Sequence, residues 1–402
     1  MLKTIEPNIQ KITEQNRIFY HLKGEQDGPI LVFFAGVHGN EIAGVKGLNK
    51  SLKDFDSKTI KGEVYAVYGN IKALNSAKRY IERDLNRVWI DQGLENLERQ
   101  EKLLNEDKEQ FELLYFLSGI LDNTKNPIYF IDLHTTSSKS LPFITINDTL
   151  INRKFSECFP VPIILGIEEY LDGTLLSYLN TMGYVSIGFE AGQHDDALAI
   201  ENCAAFINLA LSIAGVIPKI DKKTLKKSQD VLKSSSEHIS DFFEIIFKYH
   251  IRNNENFKMI DGFESFQNIK KGELLAQSNS NSIYSDNSGK IFMPLYQKSG
   301  EDGFFIIRFV PRFYLWLSKF LRRLNADSLL ATLPGINWKN KNKGILVADL
   351  KITRFFAKQL FHLLGFRQKT IDKHQMLLYN RERVSNNKMY KNEIWYKKSH
   401  KF

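Results

Sequence analysis

The sequence predicts an α/β fold: a mixed or parallel sheet with helices on both faces, followed by a small β domain and a basic, α-rich C-terminal extension. Two observations carry the first part. Apolar runs alternate with helical patterns through the first 215 of 402 residues. Several runs, such as ILVFFA at 30–35 and IYFIDL at 128–133, are apolar at nearly every position, which suits strands covered on both faces. A change of texture after Pro218 carries the rest.

Strands are expected at Ile30–Ala35, Glu63–Tyr68, Ile128–Leu133, Phe143–Ile146 and Val185–Phe189, with helices near 40–54, 97–121, 172–182 and 195–214. From Lys219, KIDKKTLKKSQDVLKSSSEH reads as a linker with a surface helix. Residues 241–308 read as short strands with turn punctuation, including KKGELLAQ and SDNSGKIFMPLY. Arg312–Leu324 then has apolar residues at 313, 316, 317, 320, 321 and 324, a helical stripe flanked by basic residues. RFFAKQLFHLLGF at 354–366 is a second such stripe. The expected domains are therefore 1–218, 219–308 and 309–402.

Composition narrows the class. Apolar residues make up 43% and charged residues 25%, as in a soluble globular protein of two or three domains. Cys158 and Cys203 are the only cysteines, so neither a disulfide framework nor a cysteine zinc cluster is available. The start MLKTIEPNIQ lacks a signal-peptide core, and AAFINLALSIAGVI is too short to cross a bilayer. A cytoplasmic location is the expectation. The net charge of +9 is uneven: from Arg308 onward 21 Lys and Arg face 5 Asp and Glu, a net of +16, so the remainder, with 34 basic and 41 acidic groups, carries −7.

Chemistry is concentrated at strand ends, where α/β sheets place their ligands. GVHGNE follows ILVFFA directly and sets His38 and Glu41 three apart, with Gly36 and Gly39 allowing a tight turn. Alone, the pair reads equally as a solvated turn. A hydrolytic zinc site needs three nitrogen or oxygen ligands and an open position, and a third is offered by His134, at the end of IYFIDLH. Asp132, two residues earlier, could orient a ligand; a buried, hydrogen-bonded His is the plainer reading. Glu190, ending YVSIGFE, could move a proton without being a ligand. His194 is expected to be exposed and without a role. AKRYIERDLNRVW offers Arg79, Asp84, Asn86 and Arg87, where arginine suits carboxylate binding and oxyanion stabilisation. Arg83 and Glu82 read as a solvated pair, and Asn40 as a helix cap.

Together the order GVHGNE, RYIERDLNR, DLH, GFEAG resembles the succinylglutamate desuccinylase and aspartoacylase family, relatives of the zinc carboxypeptidases. The resemblance covers roughly residues 15–215; the β region to about 308 is loosely similar to the family's C-terminal barrel. It implies one Zn2+ held by His38, Glu41 and His134, with Glu190 as general base and acid. Arg79 would polarise the scissile carbonyl, and Asn86 and Arg87 would hold the substrate's α-carboxylate. The implied reaction is hydrolysis of an N-acyl amino acid or a similar small, carboxylate-bearing amide. One departure stands out: Glu168 to Phe189 contains no Lys or Arg, where aspartoacylase has an arginine for a second carboxylate.

Two other readings compete. A carboxypeptidase-like peptide hydrolase would use the same residues. A nucleic-acid or anionic-membrane binding protein would use the basic tail with its aromatics Phe313, Tyr314, Trp316, Phe355, Phe356 and Trp395. The plainer expectation for that tail is helices packed on the catalytic domain, exposing only their charges.

Overall fold

The computed structural model describes residues 17–90, 103–122, 124–353, 357–370 and 374–397. The first 193 residues supply β1 (Ile18–Lys23), β2 (Gln26–Ala35), β3 (Lys61–Tyr68), β4 (Ile128–Thr136), β5 (Phe143–Ile146), β6 (Ile163–Leu165) and β7 (Val185–Gln193). The next stretch supplies β8 (Phe242–His250), β9 (Phe257–Met259), β10 (Asn268–Ile269), β11 (Leu274–Ser278), β12 (Asn281–Tyr284), β13 (Gly289–Phe292) and β14 (Asp302–Phe309). One mixed sheet runs in the order β1-β3-β2-β4-β7-β5-β6-β8-β14-β13-β10, and β12-β11-β9 form a separate sheet. Its centre, β3-β2-β4-β7, is parallel.

The all-apolar strands are explained by two cores. Alternate residues of a strand face opposite sides, so Leu31, Phe33 and Ala35 join the core under helices Ala43–Leu52 and Ala197–Ile213. Val32 and Phe34 face the other way, against Leu113 and Leu117 of helix Asn105–Leu121 and Leu175 and Leu179 of helix Leu175–Thr181. The sheet also extends further than one catalytic layer: β6 pairs in parallel with β8, so β8, β14, β13 and β10 continue it rather than forming a sheet of their own.

The C-terminal region holds helix Arg312–Arg323 and also an antiparallel sheet of β15 (Ile336–Asn340), β16 (Ile345–Asp349), β17 (Phe366–Thr370) and β18 (Gln375–Asn380), ordered β15-β16-β18-β17. These strands were not legible because they are short and interrupted by polar residues, as in INWKN and FRQKT. The region is bound firmly to the first half. Tyr390 and Trp395 are buried in the main core, where the Tyr390 hydroxyl accepts from Val185 N (3.0 Å) and Trp395 Nε1 donates to the Tyr129 hydroxyl (2.9 Å).

Two of its arginines, Arg322 and Arg381, point inward. The buried Arg322 guanidinium donates to the Asp148 carboxylate (2.7 Å), Asp148 O (2.7 Å) and Glu382 (3.1 Å). Arg153 also pairs with Asp148, and Arg381 pairs with Glu168 (2.7 Å) and Glu169 (2.8 Å). Burial alone would push the Asp148 carboxyl up, but Arg153 and Arg322 outweigh it and hold it well below the usual range. The expectation that the aromatic stripe packs inward fails on helix Arg312–Arg323: Phe313, Trp316 and Phe320 are exposed. Leu315, Ser318 and Arg322 instead form its inner stripe. Phe355 and Phe356 lie outside the described residues. Among the described residues no helix is long and apolar enough to cross a membrane.

Removing one partner of a buried ion cluster leaves uncompensated charge, at a cost of about 3–5 kcal/mol. Arg322→Ala is expected to lower stability by that order in denaturant unfolding at neutral pH. Because the folded pKa of Asp148 is depressed, its stabilisation is complete above the ordinary carboxylate pKa and is lost as pH falls below it. The gap between wild type and Arg322→Ala should therefore shrink on acidification; a gap unchanged with pH would contradict this account.

Candidate metal centre

The sheet places the chemistry at the carboxyl ends of β2, β4 and β7. After β2 the chain passes to β3 on one side, while β4 pairs with β2 on the other, leaving the kind of crevice where α/β folds bind ligands. His38 and Glu41 lie in the turn that leaves β2. Gly36 takes φ +70°, and a Cβ on Gly39 would lie 2.0 Å from the Ala73 backbone, so this turn requires both glycines. His134 and Asp132 sit two apart on β4 and so share a side, and His134 is in register with Glu190 on β7.

These groups converge. Glu41 is buried between two imidazoles, with Oε1 2.8 Å from His38 Nδ1 and Oε2 2.9 Å from His134 Nδ1. Thr135 N donates to Glu41 Oε2 at 3.0 Å. Each imidazole meets a further carboxylate at its other nitrogen: His38 Nε2 lies 3.1 Å from Asp84 Oδ1, and His134 Nε2 lies 2.7 Å from Asp132 Oδ2. A proton on each Nε2 faces those carboxylates and leaves both Nδ1 lone pairs toward Glu41, the arrangement in which histidine binds a metal. One ligand atom from each of His38, Glu41 and His134 falls within a 4.8 Å cluster. Arg79 lies 3.0 Å from Asp84 and 3.7 Å from Glu41, and Arg87 also acts on Asp84. A cluster this rich in carboxylates suits a cation, and mixed imidazole and carboxylate donors suit zinc.

Titration behaviour follows the same charges. Burial pushes the Glu41 carboxyl up, but His38 and His134 outweigh it and hold it well below the usual range. Asp84 is likewise held down by His38 and Arg79 against burial. Burial pushes His134 down, yet Asp132 and Glu41 raise it well above its ordinary value. Glu190 behaves oppositely: burial pushes it up to about 8, with His134 opposing and Glu41 and Asp132 adding to the rise. Its Oε2 is buried without a hydrogen-bond partner.

The loop at 79–87 is shaped by a group that no motif indicated. Glu106, fully buried, accepts from the backbone N–H groups of Ile81 (2.7 Å), Glu82 (3.1 Å) and Arg83 (3.3 Å) and from Asn70 Nδ2 (3.1 Å). Arg83 pairs with Asp107, and Glu82 accepts from Asn105, so these two do not form the solvated pair expected of them. Asn86 Oδ1 accepts from Leu175 N (2.9 Å), and Arg87 Nη2 bonds Asp302 of β14 (2.9 Å).

Arg79, Asn86, Arg87, Glu190 and the three candidate ligands all border one cleft of about 280 Å³. Its apolar lining includes Ile146, Ile167, Leu171, Leu176, Met293 and Leu295. His194 also lines it, contrary to expectation: its Nδ1 contacts Thr135 Oγ1 (2.7 Å) and its Nε2 is buried without a hydrogen-bond partner. The strand runs on to Gln193 and the next helix begins only at Ala197, so His194 is held just past the strand end instead of on an exposed helix start. Asn40 does not cap the helix. Glu41 N bonds His38 O in a closed turn, so the helix starts at Ala43 with Ile42 at its cap position, and Asn40 Nδ2 reaches Gln297 instead (3.3 Å).

A test follows from Glu190 without reference to turnover. Its folded pKa lies above the ordinary carboxylate value, so its contribution to stability is complete at low pH and lost as pH rises through about 8. In the metal-free chain, Glu190→Gln should gain melting temperature relative to wild type as pH rises from about 5 to 8. A constant difference across that range would refute the assignment.

Residues 27–208 match the succinylglutamate desuccinylase/aspartoacylase catalytic domain. A probable aspartoacylase from Nostoc sp. is 34% identical over 168 residues, 37% of this chain and 51% of the relative. A succinylglutamate desuccinylase from Photorhabdus laumondii is 31% identical over 113 residues, 28% of this chain and 34% of the relative. The chain thus spans about half or less of the length of these curated relatives. The fold is shared with a succinylglutamate desuccinylase/aspartoacylase from Rhodobacter sphaeroides (TM-score 0.55, 15% identity, 72% of this chain and 88% of that one). It is shared also with a succinylglutamate desuccinylase from Vibrio parahaemolyticus (TM-score 0.52, 15% identity, 74% and 89%). The resemblance carried by the four motifs is borne out over residues 27–208.

Proposed function

We propose that this chain, which over residues 27–208 carries the succinylglutamate desuccinylase/aspartoacylase catalytic domain, is a zinc-dependent hydrolase of a small, carboxylate-bearing N-acyl amide. One observation carries the reading: Asp84 and Asp132 hold the Nε2 atoms of His38 and His134 so that both Nδ1 atoms face the shared Glu41. His38, Glu41 and His134 would hold one zinc ion per chain, which when bound lowers the pKa of water and polarises a carbonyl.

The chain's own groups supply the rest. Glu190, raised to about 8, is matched to taking a proton from the attacking water and delivering it to the leaving amine near neutral pH. Arg79, fixed by Asp84, stands ready to hold the oxyanion that forms from the acyl carbonyl. Asn86 and Arg87 would receive the substrate's carboxylate, Arg87 sharing its guanidinium between that group and Asp302. Among the described lining residues, cations come only from Arg79, Arg83 and Arg87. The apolar lining therefore suits an uncharged acyl group better than a second carboxylate.

Glu190→Gln should cut kcat by about 10²–10⁴ while metal content, read by elemental analysis, stays unchanged; intact turnover would remove Glu190 from its role. Asp132→Asn should weaken zinc binding by about 10–100-fold in a chelator competition. In a panel of N-acyl amino acids, aliphatic acyl groups should exceed succinyl by about tenfold or more in kcat/KM. Preference for succinyl would contradict the reading of the lining, and preference for free peptides would favour a carboxypeptidase-like enzyme.

A further inference from the structure

Helix Arg312–Arg323 carries a face that the fold leaves uncovered. Phe313, Tyr314, Trp316, Phe320 and Leu324 are 62%, 53%, 48%, 48% and 62% exposed, and the neighbouring Leu329 is 68% exposed. Soluble surfaces seldom gather so many large apolar groups on one helical turn after another without a partner for them. The helix cannot roll to hide them. On its inner side Leu315 sits in the main core, Ser318 Oγ donates to Leu363 O (2.8 Å), and Arg322 is locked to Asp148 and Glu382.

The chemistry of the face selects the partner. RFYLWLSKFLRR contains no acidic residue, and Arg312, Lys319 and Arg323 stand among its aromatics. Lys154 adds to the cluster: burial, then Lys319 and Arg323, push its ammonium down. Glu157 is the acid near Lys319. A second copy of the chain docked face to face would set like charges together with no carboxylate on the helix to pair them. Single-stranded nucleic acid would need ring faces for base stacking, but Trp316 is already flanked by Phe313 (6.1 Å, 29°) and Phe320 (5.7 Å, 9°). The leucines offer no stacking surface either. Aromatic and leucine side chains on one face, bordered by cations, match the boundary between anionic headgroups and acyl chains.

We propose that helix Arg312–Arg323 docks the protein on an anionic lipid surface, its aromatic face entering the acyl boundary and Arg312, Lys319 and Arg323 meeting the headgroups. Docking of this kind leaves the cleft and its chemistry as described, and does not depend on the metal.

The test uses the full chain with vesicles of phosphatidylcholine, alone or with about one third phosphatidylglycerol. Co-sedimentation should occur with the anionic vesicles and fall at high salt, with little retention on phosphatidylcholine alone. Trp316 fluorescence should shift to the blue on binding, a change absent from Trp316→Phe, which still binds. Trp316→Ser/Phe320→Ser should lower retention by about tenfold or more with unchanged melting temperature, since both side chains are exposed. Phe313→Ser, at the helix start, is the second variant should the double one prove unstable. Arg323→Glu should weaken binding chiefly at low salt. No retention on anionic vesicles at low salt overturns the proposal. So does self-association, or binding of a single-stranded oligonucleotide, that the same substitutions abolish while vesicle retention is unaffected.

Discussion

The structure turns on one buried carboxylate. Glu41 is 2% exposed and lies between two imidazoles, each of which is held from behind by another carboxylate. Three negative groups in so small a volume are tolerable only if positive charge answers them, because an uncompensated buried charge costs several kcal/mol. Arg79, and Arg87 beside Asp84, supply part of it; protons on the imidazoles, or a divalent cation between them, supply more. Much of the local architecture serves that arrangement. The two glycines bring the β2 turn against the Ala73 backbone, Glu106 gathers the N–H groups of the arginine loop, and the β4–β7 register sets Glu190 beside His134.

A second set of buried charges explains the basic C-terminal region. Its surplus of arginine suggests a surface built to meet an anionic partner, yet Arg322 and Arg381 face inward, toward Asp148, Glu168, Glu169 and Glu382. Asp148 and Glu168 are next to Asn147 and Ile167, which line the cleft. The extension thus braces the wall of the site from behind, while most of its other described cations, such as Lys339, Lys341 and Lys343, remain exposed. Net charge described how many cations this quarter holds; only their partners reveal which ones solvent meets.

Legibility differed between elements for definite reasons. Long strands buried on both sides announce themselves, because every position must be apolar; β2, β4 and β7 are of this kind. Strands such as β15 and β16 are brief and half-exposed, so their alternation was lost among lysines and asparagines. His38, Glu41, His134 and Glu190 were visible because each stands where an apolar run stops. Glu106 and Asp84 were harder, since a carboxylate that organises backbone N–H groups or an imidazole looks like any acid on a helix or loop. His194 was harder too, because a histidine just ahead of a helix is more often exposed.

What the sequence determined by itself was the set of central strands β2, β3, β4, β5 and β7 with their order along the chain, and the identity of the polar groups that interrupt them. Hydrophobic periodicity and residue type are local properties, and they survive in a string of letters. The tertiary structure decided which nitrogen of each imidazole is engaged, that Arg87 is paired with Asp302, and which side of helix Arg312–Arg323 meets solvent. His38 meets Asp84 across 46 positions of the chain and Arg87 meets Asp302 across 215, groups brought together by sheet register and helix packing. Burial then sets their charge, as it does for Glu190 and Asp148, and burial exists only once the chain has folded.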